Sequence, residues 1–239
     1  MKLIVHGAAG RMGQQVCRLA GEQVAAAVSM EGGEGILTKL TDYTGEADCV
    51  VDFSHHTATA DLLAYCVERK LPVVVATTGQ TPEERELIAA AAKEIPVFFS
   101  ANMSLGVAVL ADLVRRATAM FPDADIEIVE IHHNQKLDVP SGTALMLANA
   151  VKDSRSEAEF LIGRHENGKR TKAEVGIHSL RMGNEVGTHE VHINTGYETV
   201  VLKHQAHDRA LFAQGALAAA NYLCGKSAGL YTMQDIMKG

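Results

Sequence analysis

A cluster of residues that can act as acids, bases and anion ligands lies near the middle of this 239-residue chain. Two adjacent imidazoles, His132 and His133, end a strand-like run, and Lys136 follows them closely. The segment Pro140-Ser141-Gly142-Thr143 then opens a helical pattern. A helix N-terminus beside a lysine can bind a carboxylate, and an imidazole near it can deliver a proton near neutral pH. The segment therefore predicts a proton donor next to an anion site.

The same residues also fit a purely structural interpretation. Adjacent histidines on a strand are often one buried, hydrogen-bonded ring and one exposed ring, and Ser141 can be only an N-cap. Physical reasoning alone leaves both interpretations open at this point.

A glycine-rich turn near the N-terminus gives the second chemical signal. The stretch Gly7-Ala8-Ala9-Gly10-Arg11-Met12-Gly13 follows a short aliphatic strand and opens a helix. Small residues let the backbone approach a pyrophosphate, and the helix N-terminus offers N–H groups and partial positive charge. The spacing G-x-x-G-x-x-G differs from the commonest fingerprint, and a tight packing turn is the alternative. We predict a dinucleotide site at this turn.

The residues after the second predicted strand leave the choice between NADH and NADPH open. Ser29 and Met30 stand where a carboxylate or an arginine usually selects the cofactor, and Glu31 lies just beyond them. Thr77-Thr78-Gly79 follows the fourth predicted strand, at the sheet edge where ligands bind in open α/β folds, although a plain turn fits equally well.

Alternating strands and helices predict how these sites are positioned. The first hundred residues alternate aliphatic runs with helical patterns, which predicts a parallel sheet covered by helices. The later strand-like stretches, joined by short glycine-containing links, predict an α+β domain with antiparallel pairing. The segment Glu31–Glu46 is interpreted as a loop with at most a turn of helix, and Ser154–Lys172 as polar and irregular. The predicted strands are Leu3–Val5, Val24–Val28, Cys49–Phe53, Val73–Ala76, Val97–Phe99, Ile126–His132, Val175–Met182, Thr188–Asn194 and Glu198–His204, and the predicted helices are Gly10–Gly21, Thr57–Arg69, one opened by Thr81, Leu105–Met120, Ser141–Val151 and Ala210–Leu223.

Composition excludes several classes of protein. Apolar residues make up 47% of the chain and the formal net charge is -7, so a general affinity for nucleic acid or anionic membrane is not expected. We find no signal peptide and no apolar run of membrane-spanning length, which predicts a cytoplasmic protein. The cysteines sit in apolar runs and are predicted to be core thiols rather than disulfides or metal ligands.

The central segment resembles the signature of the 4-hydroxy-tetrahydrodipicolinate reductase family, E-x-x-E-x-H-H-x-x-K-x-D-x-P-S-G-T-A, which residues 127–144 match throughout. The chain is on the short side for that family, and Ser29-Met30 departs from the cofactor-selecting residues of some members. The resemblance spans essentially the whole chain and also includes Gly7–Gly13, Asp52-Phe53-Ser54, Ala76–Gly79, Ser100–Ser104 and Gly229–Thr232.

The resemblance implies an activity and a set of residue roles. The activity is reduction of 4-hydroxy-tetrahydrodipicolinate, a small dicarboxylate, by hydride transfer from NADH or NADPH in lysine and diaminopimelate biosynthesis. His132 would donate the proton and Lys136 would hold the substrate. The residues implied to line the substrate carboxylates are His133, Ser141, Gly142 and Thr143. The residues implied to bind the cofactor are Gly7, Ala8, Ala9, Gly10, Arg11, Met12, Ser29, Phe53, Thr77, Thr78, Gly79, Ala101, Asn102, Met103 and Arg209.

The resemblance also implies the domain organisation. Residues 1–103 and 209–239 would form a Rossmann domain with a parallel sheet. Residues 104–208 would form an α+β domain with a mainly antiparallel sheet, which binds substrate and builds a homotetramer. No metal is implied.

Two other classes share part of this pattern. Another two-domain nicotinamide dehydrogenase, acting for example on an amino-acid semialdehyde, would share the glycine turn. It has no reason to carry His132, Lys136 and the Pro-Ser-Gly-Thr helix start together. A nucleotide-sensing regulator would keep the turn and could lose the acid and the lysine.

Overall fold

The computed structural model describes residues 1–238, which divide into two compact units. One unit is formed by Met1–Ser104 with the segment that begins at Arg209, and the other by Leu105–Asp208. Within the described residues, every helix is too short or too polar to span a bilayer. The strands are β1 Leu3–His6, β2 Val24–Val28, β3 Ile36–Leu37, β4 Cys49–Asp52, β5 Val73–Val75, β6 Pro96–Phe99, β7 Asp125–His132, β8 Glu159–Ile162, β9 Glu174–Arg181, β10 Gly187–Asn194, β11 Thr199–Ala206 and β12 Gly229–Tyr231. The helices are α1 Arg11–Ala20, α2 Thr59–Glu68, α3 Pro82–Ala91, α4 Leu105–Met120, α5 Gly142–Lys152, α6 Ala210–Leu223 and α7 Met233–Lys238.

The first unit is built on a seven-stranded sheet in which every pair of neighbours is parallel, in the order β12-β6-β5-β4-β1-β2-β3. This confirms the predicted parallel sheet. Its central strands are runs of aliphatic residues because helices cover both faces, and Leu3, Ile4 and Val5 of β1 are fully buried. The order places the ends of β1, β4 and β5 side by side, where ligands bind in open α/β sheets.

Two local features define the helices of this unit, one at the start of α3 and one where α6 packs. Thr81 caps α3 as predicted, since its hydroxyl accepts from the Glu84 N–H at 3.2 Å while the Glu84 carboxylate accepts from the Thr81 N–H at 2.8 Å. Helix α6 packs against α1 and approaches the segment before α4 so closely that a Cβ at Gly215 would overlap the Met103 carbonyl. Glycine at that position therefore permits the packing.

The second unit is a five-stranded mixed sheet in the order β11-β10-β7-β9-β8. Strand β10 runs antiparallel to β11, as the short link between them predicts, and also to β7. The predicted antiparallel pairing of β9 with β10 is wrong, because β7 lies between them and β9 is parallel to β7 and β8. Helices α4 and α5 pack on the sheet, and the core between them includes the buried side chains of Leu110, Ile126, Leu147, Ile177 and Val191.

Three strands and the helix α7 were not predicted. Strand β8 lies within the segment 154–172 that was interpreted as irregular, and β3 lies within 31–46. The short 3₁₀ turn at Leu40–Asp42 corresponds to the turn of helix considered for that segment. The third unpredicted strand, β12, extends the first sheet beyond β6. All three are short edge strands with few fully buried side chains, so the hydrophobic pattern that identifies central strands is weak in them.

The cysteines are free thiols. Cys49 and Cys66 are buried, and burial raises the pKa of both thiols. Cys224 is exposed, so the prediction that all the thiols lie in the core is wrong for that residue.

Candidate active site

Strand β7 presents two functional side chains on the same face as its core residues. Its side chains alternate between buried and half-buried positions, as a pleated strand requires, so Glu130 and His132 follow Ile126 and Ile128 inward. The strand ends at His132, which is 8% exposed. The sequence therefore places a carboxylate and an imidazole beside each other at the end of a rigid element.

The Glu130 carboxylate is fully buried and accepts four hydrogen bonds. One oxygen accepts from Nδ1 of His132 and, at 3.0 Å, from Nη1 of Arg181 on β9. The other accepts from Nη2 of Arg181 at 2.8 Å and from the backbone N–H of Ser141 at 3.3 Å. Burial opposes ionisation of Glu130, but the hydrogen bonds from His132 and Arg181 outweigh it and hold the pKa of the carboxyl well below its ordinary value. The group is therefore a carboxylate at neutral pH.

This bond determines which nitrogen of His132 can react. Because Nδ1 carries the proton that Glu130 accepts, Nε2 is the nitrogen that can exchange a proton with a bound molecule. Gly187 lies beside Nε2, and a Cβ at that position would be 3.0 Å from it. The glycine thus keeps the reactive side of the ring open.

His189 on β10 is the second buried histidine of the cluster, and the sequence analysis missed it. Its Nε2 lies 3.0 Å from the Ser141 hydroxyl, and its ring meets the His132 ring edge-on at 5.1 Å between centroids. Its Nδ1 has no hydrogen-bond partner among the described residues. Burial, aided by the nearby His132, lowers the pKa of His189 to about 3. A neutral ring therefore stands next to the proton donor.

Helix α5 begins where the sequence predicted an anion site. Ser141 is its N-cap, since its hydroxyl accepts from the Ala144 N–H at 3.1 Å. Gly142 is exposed, and an added Cβ there would meet nothing within 4 Å. Thr143 is half-buried in the same first turn. The helix start thus faces open space that an anion can enter.

Lys136 lies in the loop between β7 and α5. Its Nζ is 2.8 Å from a carboxylate oxygen of Asp138, and its side chain is 20% exposed. Partial burial opposes ionisation of Asp138, but the hydrogen bond from Lys136 lowers the pKa of that carboxyl. The backbone N–H of His133 donates to the Glu185 carbonyl at 2.8 Å, and Nη2 of Arg181 donates to the Asp138 carbonyl at 2.8 Å. One backbone bond and one bond from an arginine side chain therefore hold the loop at His133 and at Asp138.

The buried cluster has the spacing of a metal site but not its free ligands. One possible ligand atom from each of Glu130, His132 and His189 lies within 4.8 Å of the others. Both oxygens of Glu130 already accept hydrogen bonds, and the Arg181 guanidinium lies beside them. A cation would have to displace those donors next to a fixed positive charge, so this geometry favours an acid–base centre.

A separate cleft of about 250 Å³ lies in the first unit, at the carboxyl ends of β1, β2 and β4. Gly7, with φ +80°, borders it, and a Cβ there would come within 2.5 Å of the Phe53 carbonyl. Gly10 is the N-cap of α1, and no described side chain caps that helix. The cleft is lined by His6, Gly7, Gly10, Ser29, Met30, Glu31, Phe53, Ser54, His55, Thr57 and Ala58.

These features fit a dinucleotide pyrophosphate. An open helix N-terminus offers backbone N–H groups and partial positive charge, and the glycines leave room for phosphate oxygens. A Cβ at Gly13 would overlap the Gly7 carbonyl, so the turn also needs its last glycine.

The predicted cofactor residues are only partly gathered by this cleft. Four of them, Gly7, Gly10, Ser29 and Phe53, line it. Met103 is 2% exposed and packs in the core, whereas the Asn102 side chain accepts from the Ser104 N–H at 2.8 Å. The predicted residues that do not line the cleft are Ala8, Ala9, Arg11, Met12, Thr77, Thr78, Gly79, Ala101, Asn102, Met103 and Arg209.

Asp52 organises the edge of the first sheet beside this cleft. It is 1% exposed and its carboxylate accepts from Ser54 Oγ at 2.6 Å, from Thr77 Oγ1 at 2.6 Å and pairs with His6 Nδ1 at 2.8 Å. One buried carboxylate therefore ties together the ends of β1, β4 and β5. Thr77 uses its hydroxyl in this network, and His6 is a cleft residue that the sequence analysis did not single out.

Comparisons with known proteins agree with this geometry. Residues 1–103 match the family description "Dihydrodipicolinate reductase, N-terminus", and residues 106–237 match "Dihydrodipicolinate reductase, C-terminus". The chain is 44% identical over 247 residues to a 4-hydroxy-tetrahydrodipicolinate reductase of Caldanaerobacter subterraneus subsp. tengcongensis, which covers 100% of this chain and 98% of the relative. It is 42% identical over 247 residues to the protein of that name from Clostridium novyi, covering 99% and 98%.

A solved structure shares the fold. Dipicolinate-bound dihydrodipicolinate reductase from Paenisporosarcina sp. TG-14 superposes with a TM-score of 0.79 at 21% identity, covering 97% of each chain. At that identity, the likeness supports the fold alone.

Proposed function

The chain belongs to the dihydrodipicolinate reductase family, and on that premise we propose that it reduces 4-hydroxy-tetrahydrodipicolinate to tetrahydrodipicolinate with NADH or NADPH. This step serves lysine and diaminopimelate biosynthesis. The observation that carries the proposal is that Glu130 bonds both to the ring of His132 and to Ser141, at the open start of α5. It combines a proton donor with an anion site in one rigid cluster.

His132 is proposed as the acid of the reaction. Water leaves the 4-hydroxy substrate first; the bound nicotinamide then supplies the hydride, and the chain supplies the balancing proton. Nε2 of His132 is available for that transfer because Nδ1 is bonded to Glu130. The Glu130 carboxylate stabilises the protonated ring before transfer, and the neutral His189 adds no repelling charge.

Lys136 and the start of α5 are proposed to hold the two substrate carboxylates. The Lys136 ammonium pairs with Asp138, which is 61% exposed, so a substrate carboxylate can replace this partner. Backbone N–H groups at Gly142 and Thr143, with the side chains of Ser141 and His133, complete the proposed anion site. Their positive potential also stabilises electron density that moves into the substrate ring.

The first unit is proposed to bind the cofactor and the second to bind the substrate. Gly7 and Gly10 would cradle the pyrophosphate, and Ser29, with Met30 and Glu31, would face the adenosine ribose. The cleft lining includes no lysine or arginine, and one exposed carboxylate stands near the ribose position. Neither feature favours NADPH, so the proposal that both cofactors are used rests on Ser29, whose hydroxyl can donate a hydrogen bond to the ribose of either one. The other predicted cofactor residues remain part of the proposal.

The protein is further proposed to be a cytoplasmic homotetramer assembled through the second sheet. The sheet face that carries Val129 and Ile131 is half-buried. Leu180 and Val201 are exposed at 41% and 47%. These apolar side chains share the face with charged groups such as Glu127 and His178, a mixed surface that suits pairing with a second copy of the chain. Light scattering coupled to size exclusion tests this, and a monomer would contradict it.

The proposed activity is tested by following loss of reduced-cofactor absorbance with enzymatically generated substrate. Turnover with that substrate supports the proposal. Oxidation of an amino-acid semialdehyde without turnover of the cyclic substrate would favour a different dehydrogenase. Cofactor binding without any turnover would favour a nucleotide-sensing protein.

A further inference from the structure

Glu130 connects three parts of the site although it cannot touch a substrate. Its side chain is 0% exposed, and its two oxygens reach the ring of His132, the guanidinium of Arg181 and the backbone of Ser141. The proton donor and the first residue before the anion-binding helix are therefore bonded to one carboxylate. A small displacement of this carboxylate would move both groups together.

Arg181 extends the same connection to the loop that carries Lys136. Its guanidinium makes two bonds to Glu130, at 3.0 and 2.8 Å, and a third to the Asp138 carbonyl at 2.8 Å. A bidentate pair of this kind fixes orientation as well as charge. Arg181 thus links Asp138, the partner of the Lys136 ammonium, to the carboxylate that orients His132.

We infer that Glu130 and Arg181 are positioning residues that set the orientation and protonation of His132 and align it with the carboxylate-binding helix start. The inference rests on the proposed function, since it concerns the same acid. Neither residue is a catalytic residue, because Glu130 is enclosed and Arg181 acts through it. The loss of the Glu130 charge should therefore affect the chemical step more than substrate binding.

Charged and titratable groups lie around His132 on its own strand, on both neighbouring strands and in the following loop. Glu130 is on its own strand, Arg181 pairs with it in register from β9, His189 contacts its ring from β10, and the loop carries Lys136 with Asp138. Glu130 is the group that accepts from the His132 ring, so its replacement removes the acceptor that orients this ring.

Strand β7 provides a matched control on its opposite face. Glu127 also contacts a histidine, with 2.7 Å to Nε2 of His178, and an arginine, with 2.8 Å to Nη1 of Arg170. It therefore repeats the carboxylate–histidine–arginine arrangement away from the candidate site. Glu127→Gln removes the same charge from the same strand without touching His132.

The experiment compares wild type, Glu130→Gln and Glu127→Gln in steady-state reduction assays, with the assembly state of each variant checked by light scattering. Glu130→Gln is expected to lower kcat by at least about tenfold with KM little changed. Glu127→Gln should keep the wild-type kcat and KM. Equal kcat for both variants, or a change confined to KM, would overturn the inference.

Nitrogen-15 histidine NMR gives a readout that needs no turnover. A far-downfield Nδ1 proton signal should be present in wild type, absent from His132→Gln and retained in Glu127→Gln. Its absence from wild type would overturn the inference even if Glu130→Gln does not fold. If wild type shows this signal but does not reduce the substrate, the proposed function fails while the Glu130–His132 bond stands.

Discussion

The buried neutral His189 makes the stability of the protein sensitive to mildly acidic pH. Burial lowers the pKa of this ring from an ordinary value of 6.5 to about 3. The folded protein therefore keeps the ring neutral at pH values where the unfolded chain protonates it. The stabilisation is fully present above 6.5 and is lost as the pH falls from 6.5 toward 3.

The size of the effect follows from the linkage between protonation and folding. One pKa unit corresponds to about 1.4 kcal/mol. A pH of about 5 lies about 1.5 units below the ordinary pKa of His189, so the ring is protonated in the unfolded chain. In the folded protein the same pH is still well above the pKa, and the ring stays neutral. The contribution to the free energy of unfolding therefore falls by about 2 kcal/mol between pH 7.5 and pH 5.

Urea unfolding at these two pH values, at one protein concentration, measures this term. His189→Gln removes the titrating group, so its free energy of unfolding should decline by about 2 kcal/mol less than that of wild type. His192→Gln, a more exposed histidine on the same strand, should decline like wild type. Glu130 and His204 are unchanged in all three proteins, so the comparison isolates His189.

One result would refute this reasoning. If His189→Gln loses as much stability on acidification as wild type does, then the pKa of His189 in the folded protein is close to its ordinary value. A charged ring would then stand beside the proton donor, and its proposed neutral role would be wrong.

Three further outcomes are expected from the proposed site. His132→Gln should lower kcat by about 10²–10⁴-fold with a modest change in KM, and an unchanged kcat in steady-state assays would contradict its role as the acid. Lys136→Ala should raise KM and also lower kcat, because its charge serves the bound substrate and the transition state; wild-type kinetics would make it a surface lysine. NADH and NADPH should give kcat/KM values within about tenfold, or about 1.4 kcal/mol, and a preference above about a hundredfold would show that an unidentified residue selects the cofactor.

The central strands and long helices of both units could be predicted because their patterns are strong. The aliphatic run of β1 and the apolar face of α4 leave few alternatives, and Leu105–Met120 has the bounds that the sequence predicted. Edge strands such as β8 escaped prediction because pairing with a neighbour, rather than their own pattern, holds them in place.

The candidate site was predictable where chemistry is local in sequence. His132, Lys136 and Ser141 lie within one segment, so their spacing alone indicates a proton donor and an anion site. Glu130 lies two residues before His132, so the strand pattern puts both side chains on one face. The sequence alone does not show that this face is buried, and burial is what brings the two side chains into a hydrogen bond.

Residues that join the site from distant strands could not be found in this way. Arg181 and His189 lie on β9 and β10, and only the sheet order β10-β7-β9 brings them next to His132. Glu130 of β7 lies opposite His189 of β10 on one side and Ser179 of β9 on the other. These pairings depend on strand register, which a single sequence does not define.

Turnover of freshly generated 4-hydroxy-tetrahydrodipicolinate tests the central claim most directly. Mass spectrometry identifies the tetrahydrodipicolinate formed, and absorbance follows oxidation of the cofactor. Wild type should form one molecule of reduced product per cofactor oxidised, and His132→Gln should lose at least about a hundredfold in rate. Cofactor oxidation without that product, or full activity of His132→Gln, would contradict that claim.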